Sequence, residues 1–346
     1  MTSSYSQLSS HSSSHASSHL SSKPIAHHHL AVCSSTNSEL MQSLIEDKID
    51  KTQPYLLTAS MQTAGRGQRT RTWQSPIGNV YLSLYHPLQV PISGLLSLVI
   101  GFHLTRLPIM QQINRQRQTV NLPMIGVKWA NDIGYYEVSE SETPNSTTHQ
   151  RFNKLAGILI EPVFIDDKLT GVVVGVGMNI EAAPILGKHP KQSMDYQAVS
   201  LTQIIDETHK AYAISGNAKN LDATQQVRQT ASVSHPSLPC PKADDLYYPI
   251  SATIVRAINQ FIGFRQQDYS LPKFINEYRS LNVLHGHKVE FTQHSFKQSD
   301  ESGRQTIETH ILQGEVMDLN EDGSLKLKLT DSKLTMNIYT GTIRLL

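Results

Sequence analysis

The sequence predicts an α+β fold in which helices and sheet strands interleave up to about residue 283, after which only short strands follow. Residues 172–180 are apolar at every position except Asn179, which is typical of a strand buried on both faces of a sheet. Residues 92–107 show helical periodicity and are apolar on most sides, which indicates a packed central helix. Residues 325–329 alternate strictly between leucine and lysine after an Asp322-Gly323 turn, as strands of a small β-barrel do.

Composition justifies the other elements in chain order. Residues 30–33, 55–58 and 79–85 have the β-branched, apolar and aromatic content of strands. Small polar residues at 34–37 can cap a helix at residues 38–49, whose apolar side chains fall on one face. Further strands are expected at residues 125–129, 133–136, 154–165 and 169–180, and further helices around 201–212 and at 249–264 and 271–281. The barrel strands are expected at residues 288–291, 309–319, 325–329 and 335–346.

Length and composition exclude several classes of protein. At 346 residues the chain is too long for one small domain. A net charge of +1 with 17% charged residues gives no global field that would recruit nucleic acid or an anionic membrane. The longest apolar stretch, residues 92–107, is interrupted by Gly101, His103 and Arg106, so no membrane span is expected. Two distant cysteines form neither a disulfide framework nor a zinc signature, which favours a cytoplasmic protein.

Composition shifts also predict the domain limits. Residues 1–24 are mostly serine and histidine and are expected to be a disordered tail, without the pattern of a targeting signal. The adjacent His27-His28-His29 run is interpreted as an adventitious metal binder, so no metal site is assigned to it. A catalytic domain is expected at residues 25–283, with polar insertions at about 137–153 and 183–246, and a barrel at 284–346.

One segment concentrates chemistry, Gln62-Thr-Ala-Gly-Arg-Gly-Gln-Arg-Thr-Arg-Thr-Trp73. Its two glycines allow tight turns and close approach to a ligand. Its three arginines can fork onto carboxylate or phosphate oxygens, and its tryptophan can stack on a heterocycle. The segment therefore suits an anion joined to a ring, although a solvated or nucleic-acid-binding glycine-arginine run is an equally good interpretation of its composition.

Five further segments share the order and spacing of a known family. They are Ser35-Thr36-Asn37, Ser97-Leu-Val-Ile-Gly101, Lys128-Trp-Ala-Asn-Asp132, Lys154-Leu-Ala-Gly-Ile-Leu-Ile-Glu161 and Gly175-Val-Gly-Met-Asn179. Together with the glycine-arginine segment, they make the chain resemble the biotin protein ligases from about residue 30 to the C-terminus, with long insertions. The resemblance implies a class II synthetase-like mixed sheet with helices and a C-terminal SH3-like barrel. It also implies a monofunctional ligase without an N-terminal DNA-binding domain.

The chemistry implied by this resemblance is adenylation followed by amide formation. Biotin and ATP would react to biotinyl-5'-AMP and pyrophosphate, with Mg²⁺ accompanying the phosphates. A lysine of a biotin carboxyl carrier protein, such as the acetyl-CoA carboxylase subunit, would then take the acyl group. Such a reaction needs cations that neutralise phosphate and carboxylate charge in a dry site.

The family pattern assigns roles to residues of this chain. The implied catalytic cations are Lys154, Arg66 and Lys128. The implied biotin-binding residues are Ser35, Thr36, Asn37, Gln62, Gly65, Arg66, Gly67, Gln68, Lys154 and Gly157. The implied ATP- and adenylate-binding residues are Arg69, Arg71, Trp73, Asn131, Asp132 and Asn179. Purely structural interpretations exist for several of them: a helix cap for Ser35 and Thr36, a lysine snorkelling at a strand end for Lys154, turns for Asn131-Asp132 and Asn179, and core packing for Trp73.

Two positions depart from the family, and other functions compete with the ligase. Gln68 stands where the family commonly has arginine, and Ala130 stands where it has proline. The alternatives are a lipoate–protein ligase of the same fold and a biotin-binding protein that has lost its activity. A DNA-binding regulator is rejected, because no basic stretch precedes the motifs. No membrane partner is expected, and either a monomer or a homodimer is compatible with the sequence.

Overall fold

The computed structural model describes residues 25–68, 71–137, 151–184, 196–219, 238–296, 307–332 and 334–346. The strands are β1 Ala26–Cys33, β2 Tyr55–Gln62, β3 Val80–Pro87, β4 Gly126–Lys128, β5 Asp132–Glu137, β6 Arg151–Ile165, β7 Lys168–Met178, β8 Tyr196–Ala198, β9 Lys288–Phe296, β10 Ile307–Leu319, β11 Leu325–Leu329, β12 Thr335–Ile338 and β13 Thr342–Leu345. The helices are α1 Thr36–Ile45, α2 Gly94–Leu104, α3 Pro108–Thr119, α4 Leu201–Lys219, α5 Ala243–Gln266 and α6 Leu271–Arg279.

Two sheets organise these elements. The larger sheet has the order β1-β2-β3-β7-β6-β5-β4, and β8 pairs with β6. The β1–β2 and β6–β8 pairs are parallel and the other pairs of this sheet are antiparallel, so the sheet is mixed. The smaller sheet, β12-β11-β10-β9-β13, is antiparallel throughout. The predicted α+β class with a separate C-terminal β unit is confirmed.

Strand β7 lies in the middle of the larger sheet and is covered on both faces. Val172, Val174 and Val176 belong to the main core, which also contains the buried side of α2 and α5. Val173 lies on the opposite face, in a second core with Leu40 of α1. Burial on both faces explains why this strand is apolar at successive positions, as its sequence predicted.

Helix α1 begins at Thr36, two residues before the predicted start. Ser35 occupies the N-cap position, but its side chain makes no capping hydrogen bond. Ser35 is therefore the helix cap by position, as the sequence indicated, but its hydroxyl is not used for capping. Its side chain and those of Thr36 and Asn37 are buried, so they are available to a site on this face of the sheet.

Helix α3 was not predicted, because half of its buried face is polar. Met110 and Ile113 are buried beside Asn114 and Arg117. The Arg117 guanidinium donates to the Glu207 carboxylate at 2.7 Å, which satisfies a charge that would otherwise be costly to bury. An apolar stripe alone could not reveal this helix.

The described part of the predicted insertion 183–246 packs against the main core. Leu201 and Ile204 of α4 and Leu238 lie in the main core. Helix α5 begins at Ala243 and carries Pro249 in its interior, whereas the sequence predicted a start at that proline. The predicted tail 1–24 and most of the predicted loop 137–153 lie outside the described residues, and the domain limits stay a prediction.

The smaller sheet packs on the larger one near the start of α2. The indole Nε1 of Trp129 donates to the Gly323 carbonyl at 3.0 Å. Gly323 has a φ of +86°, and a Cβ there would lie 2.4 Å from the Leu95 backbone nitrogen. A glycine is therefore required at this turn, both for its φ and for the close approach of the two units. An ion pair between Arg279 of α6 and Asp318 of β10 lies at the same junction.

No single helix in the described ranges is long and apolar enough to cross a membrane. Helices α2 and α3, which are bent by 71° relative to each other, reach the required length and composition only as a pair. Most of α2 is buried in the main core.

The packing of α2 on α5 predicts acid sensitivity. Burial lowers the pKa of His103 below its usual 6.5, and nearby Arg256 and Arg106 lower it further. The His103 imidazole binds a proton more readily in the unfolded chain than in the folded one. The stability contributed by burying neutral His103 is therefore complete above pH 6.5 and is lost as the pH falls through the folded pKa. We expect the melting temperature to fall by a few degrees between pH 7 and pH 5. His103→Gln should flatten this profile, whereas a substitution at exposed His287, His287→Gln, should not; equal slopes in both variants would contradict the assignment.

Candidate active site

The glycine-arginine segment folds into a hairpin between β2 and β3, defined here as residues 62–75. Gln62 bridges to Ser75, and Arg66 bridges to Thr72. The Trp73 amide donates to the Gly65 carbonyl at 2.8 Å. A Cβ at Gly65 would lie 2.4 Å from the Trp73 carbonyl oxygen, so only glycine allows the two arms to approach. Gly67 stands at the tip, where its amide donates to the Arg71 carbonyl; Arg69 falls outside the described residues.

A glycine floor lies beneath this hairpin, formed by Gly157 of β6 and Gly177 of β7. The two glycines are direct partners in the sheet register. A Cβ at Gly177 would lie 2.7 Å from the Trp73 indole, and one at Gly157 would lie 3.1 Å from it. The indole thus rests where side chains would otherwise stand. Its Nε1 is buried without a hydrogen-bond partner among the described residues.

The smaller of the two cavities at this site lies beside the indole. It is lined by the predicted biotin residues Ser35, Thr36, Asn37, Gln62 and Arg66, together with Trp73, Tyr81, Leu82, Leu159, Gly175, Val176 and Gly177. Its volume is about 30 Å³. Five predicted side chains from two separate segments therefore meet in one place.

Hydrogen bonds fix the polar side chains of the smaller cavity. The Gln62 carbonyl accepts from the Thr36 backbone amide at 2.8 Å, and the Gln62 amide donates to Ser75 Oγ at 2.9 Å. The Ser83 hydroxyl, on β3, contacts Thr36 Oγ1 at 2.8 Å and Asn37 Oδ1. Ser83 was not predicted as a site residue, because a serine within an apolar strand carries no signal of its own.

Glu161 is a second residue that the sequence analysis did not assign. Its carboxylate accepts from Arg66 at 2.6 Å and from the Asn37 amide at 2.8 Å. The sequence did contain a signal for this residue, because Glu161 is an acidic side chain directly after six apolar residues of β6. Arg66 also donates to Ser38 Oγ at 3.2 Å.

Lys154 lies between the two cavities. Its ammonium forms an ion pair with Asp132 at 2.8 Å and lies 5.1 Å from the centroid of the Trp73 ring. Only 15% of its side chain is exposed. Trp73 lines the smaller cavity and Asp132 lines the larger one, so this ammonium contacts one lining residue of each cavity, although Lys154 itself lines neither. The interpretation of Lys154 as a snorkelling lysine does not account for these contacts.

The larger cavity has a volume of about 330 Å³ and lies between the two sheets. One wall contains the predicted residues Gln68, Arg71, Lys128, Asn131 and Asp132. The start of α2, residues 92–94, and Ser97 add a second wall, and residues 339–343 of the smaller sheet add a third. The last group was not predicted, since only the alternation of the barrel strands was visible in the sequence.

Local contacts hold the wall at residues 128–132. Ser97 Oγ donates to the Ala130 carbonyl at 2.9 Å, and the Asn131 side-chain amide donates to the Ile158 carbonyl at 2.9 Å. The peptide bond between Trp129 and Ala130 is cis. The Lys128 ammonium lies 4.8 Å from the Phe152 ring, a cation–π contact that anchors its position at the cavity.

Two residues that were predicted to bind ATP or the adenylate, Trp73 and Asn179, do not line the larger cavity. Trp73 lies on the glycine floor of the smaller cavity, among the predicted biotin residues. Asn179 is buried at the end of β7, where its amide donates to the Val199 carbonyl at 3.3 Å. Asn179 lines neither cavity, so its role at the adenylate stays a prediction.

Within the described ranges, no group of three or more histidine, cysteine, aspartate or glutamate side chains is arranged to hold an ion. In the histidine run, His27 and His29 both contact the Thr58 hydroxyl at 2.8 Å. These two imidazoles therefore serve the pairing of β1 with β2.

The chain is similar to known proteins in both sequence and fold. The Biotin/lipoate A/B protein ligase family matches residues 30–179. Bifunctional ligase/repressor BirA of Salmonella typhimurium is 34% identical over 147 residues, and that of Escherichia coli is 33% identical over 154 residues. These matches cover 38% and 44% of this chain, and the chain spans only 38% and 39% of the length of the two relatives.

A solved structure shows the fold over most of the chain. The biotin protein ligase from Aquifex aeolicus, in complex with biotin and ATP, aligns with a TM-score of 0.54 at 17% identity. The alignment covers 93% of this chain and 99% of that chain. The segment that resembles the Biotin/lipoate A/B protein ligase family, residues 30–179, is the part of the chain that contains the hairpin, the glycine floor and both site lysines.

Proposed function

We propose that the protein is an ATP-dependent ligase that activates biotin as biotinyl-5'-AMP and transfers it to a lysine of a biotin carboxyl carrier protein. One observation carries the proposal: the Lys154 ammonium contacts Asp132, which lines the larger cavity, and Trp73, which lines the smaller one. A cation at that point lies where a carboxylate in the smaller cavity and a phosphate in the larger one would meet.

The chemistry of adenylation fits the charges around Lys154. The biotin carboxylate attacks the α-phosphorus of ATP, a new acyl–oxygen–phosphorus bond forms, and pyrophosphate leaves with the bonding electron pair. Lys154 and Arg66 neutralise charge at the reacting oxygens, while Lys128 and Arg71 face the phosphates in the larger cavity. Preorganised cations in a site that excludes water stabilise this charge more than water would.

Mg²⁺ would neutralise the leaving pyrophosphate when bound. Asp132 lines the larger cavity and offers a carboxylate. Magnesium sites of this type use one or two carboxylates, with phosphate oxygens and water as the other ligands. A single acidic residue therefore suits a metal that arrives with its nucleotide, and Asp132 would hold it.

The lining of the smaller cavity favours biotin over lipoate. Serine, threonine, asparagine and glutamine side chains surround it, and these offer both donors and acceptors. The ureido ring of biotin has N–H donors and a carbonyl acceptor that can use them. The dithiolane ring of lipoate has neither and would leave buried polar groups unpaired, which is costly.

The biotin site must open before it can bind. A cavity of about 30 Å³ holds roughly one water molecule, whereas biotin is a bicyclic acid with a five-carbon chain. The Trp73 indole occupies the space above Gly157 and Gly177. We infer that this side chain leaves the glycine floor when biotin enters.

The second half-reaction needs an acceptor with an exposed lysine. Its amine attacks the acyl carbon of the adenylate, forms the amide and releases AMP. A biotin carboxyl carrier domain, as in acetyl-CoA carboxylase, is the acceptor we propose. The proposed ligase acts without DNA, as a monomer or a homodimer.

Pyrophosphate release from the purified full chain tests the function. Mg-ATP is supplied with biotin, with lipoate or with no acid, each with and without a carrier domain. Release that depends on biotin, followed by a mass gain on one carrier lysine, supports the ligase. Release with lipoate alone assigns the protein to the lipoate branch, and tight biotin binding without release assigns it to a binding protein.

Gln68 gives a prediction about retention of the intermediate. It lines the larger cavity where the family commonly has arginine, so one charge that could hold the adenylate phosphate is missing. A charge-assisted hydrogen bond is roughly twice as strong as a neutral one, and Gln68→Arg should slow the escape of biotinyl-5'-AMP about tenfold. Escape is measured as unselective labelling of albumin lysines. The control Gln53→Arg, an exposed position at the far end of β2, should not change it; equal labelling by wild type and Gln68→Arg would refute the prediction.

A further inference from the structure

We propose that Glu161 is a positioning residue for adenylation, which holds Arg66 and Asn37 in the empty site and yields Arg66 to the arriving carboxylate. The inference rests on the proposed function, because it assumes that the smaller cavity receives an acid. It concerns a residue for which neither the sequence motifs nor the chemistry above supplied a role.

The contacts of Glu161 join two parts of the smaller cavity. Oε1 accepts from Arg66 at 2.6 Å, while Oε2 accepts from Arg66 at 3.3 Å and from the Asn37 amide at 2.8 Å. The two carboxylate oxygens thus accept three hydrogen bonds, two from the Arg66 guanidinium and one from the Asn37 amide. A glutamine at this position has a single acceptor oxygen, so Arg66 and Asn37 would compete for it.

The Asn37 amide is held at both ends. Its Nδ2 donates to Glu161, and its Oδ1 accepts from the Ser83 hydroxyl. Gly175 makes this possible, since a Cβ there would lie 2.2 Å from Asn37 Oδ1. Glu161 and Ser83 together fix which end of the amide faces which direction.

The hydrogen bonds continue from Asn37 to the far arm of the hairpin. The chain runs through Glu161, Asn37, Ser83, Thr36, Gln62 and Ser75 to the Trp73 carbonyl. Arg66 stands on one arm of the hairpin and Trp73 on the other. Glu161 is therefore connected to both arms of the segment that covers the cavity.

The Arg66–Glu161 pair can exchange partners. The Arg66 side chain is 45% exposed and that of Glu161 is 22% exposed, and pairs with such access to water contribute about 1 kcal/mol or less. A carboxylate bound in the cavity can therefore replace Glu161 as the partner of Arg66. Removal of the Glu161 charge removes a group that competes with the bound carboxylate for Arg66 and repels that carboxylate. It also removes the contact that orients the Arg66 guanidinium.

Opposite effects on binding and on rate follow for Glu161→Gln. The affinity for biotin should rise about threefold, within the range of an exposed ion pair. The affinity for uncharged biotinamide should not change, because it has no carboxylate to compete with Glu161. The single-turnover rate of adenylate formation should fall about 100-fold, as expected when a reacting group is misplaced by about 1 Å.

The experiment measures both ligands by calorimetry and adenylate formation by rapid quench, with the full chain. Glu161→Asp keeps the charge on a shorter side chain, so its biotin affinity and its rate of adenylate formation should lie between those of wild type and Glu161→Gln. This variant replaces Glu161→Gln if the latter fails to fold. The matched control is Glu277→Gln, which breaks an exposed arginine–glutamate pair of 3.2 Å at Arg106. It should match wild type in every measurement.

The outcomes separate the two proposals. Tighter biotin binding with unchanged biotinamide binding and a slower rate supports the role of Glu161. Equal weakening of both ligands, or no change in either binding or rate, overturns it. A wild-type protein without biotin-dependent pyrophosphate release would overturn the proposed ligase, and the contrast between biotin and biotinamide would still decide whether Glu161 competes for Arg66.

Discussion

Lys154→Met should reduce adenylate formation at least about 10³-fold, because it removes the cation that contacts a lining residue of each cavity, Asp132 and Trp73. Methionine keeps the length and most of the apolar stem, so packing against Trp73 is largely retained. Pyrophosphate release at saturating biotin and ATP measures the loss. The control Lys168→Met, at an exposed position where β7 begins, should retain wild-type release.

The loss at Lys154 must be distinguished from damage to Asp132. The substitution leaves this half-buried carboxylate without its partner, which by itself costs stability. The double variant Lys154→Met with Asp132→Asn removes the unpaired charge and should recover the melting temperature without recovering activity. A rate within tenfold of wild type in Lys154→Met would show that the cation is not central to the reaction.

Gly177→Val should have the second largest effect, a loss of biotin affinity of at least about 100-fold. A Cβ at this position would lie 2.7 Å from the Trp73 indole. Because the indole is the end of a flexible side chain, it can move away and the fold should survive at a cost of about 1–3 kcal/mol. The added methyl groups would then occupy the floor that biotin needs.

Tryptophan fluorescence and calorimetry check this prediction. The chain has two tryptophans, and Trp129 is buried against Gly323, so a red shift reports displacement of Trp73. Gly177→Ala, which adds only the first carbon, should give a smaller shift and a smaller loss. Unchanged fluorescence together with normal biotin affinity in Gly177→Val would mean that the glycine floor does not form the site.

The fold could be predicted where hydrophobic pattern and burial agree. The run at residues 172–180 predicted a strand covered on both faces, and β7 is that strand. Helix α3 escaped detection because Asn114 and Arg117 occupy half of its buried face. Tertiary partners, among them the Ile125 backbone and the Glu207 carboxylate, make that burial acceptable, and no local pattern indicates them.

The candidate site could be predicted where its residues lie within one segment. The hairpin and the strand that contains Lys154 were identified from motifs. Ser83 and Glu161 were missed because their partners, Thr36 and Asn37, are distant in the sequence and meet them only through sheet register. The same register turns Gly157 and Gly177 into a floor, so two unremarkable strand glycines acquire a role that spacing alone could not give.

The docking of the smaller sheet has a thermodynamic consequence. Gly323 is wedged against the first turn of α2, and residues 339–343 close the larger cavity from the same side. A ligand in that cavity touches both sheets, so it binds only the docked arrangement and stabilises it by mass action. Binding of such a ligand and docking of the smaller sheet are thus thermodynamically linked, so a change that weakens one weakens the other.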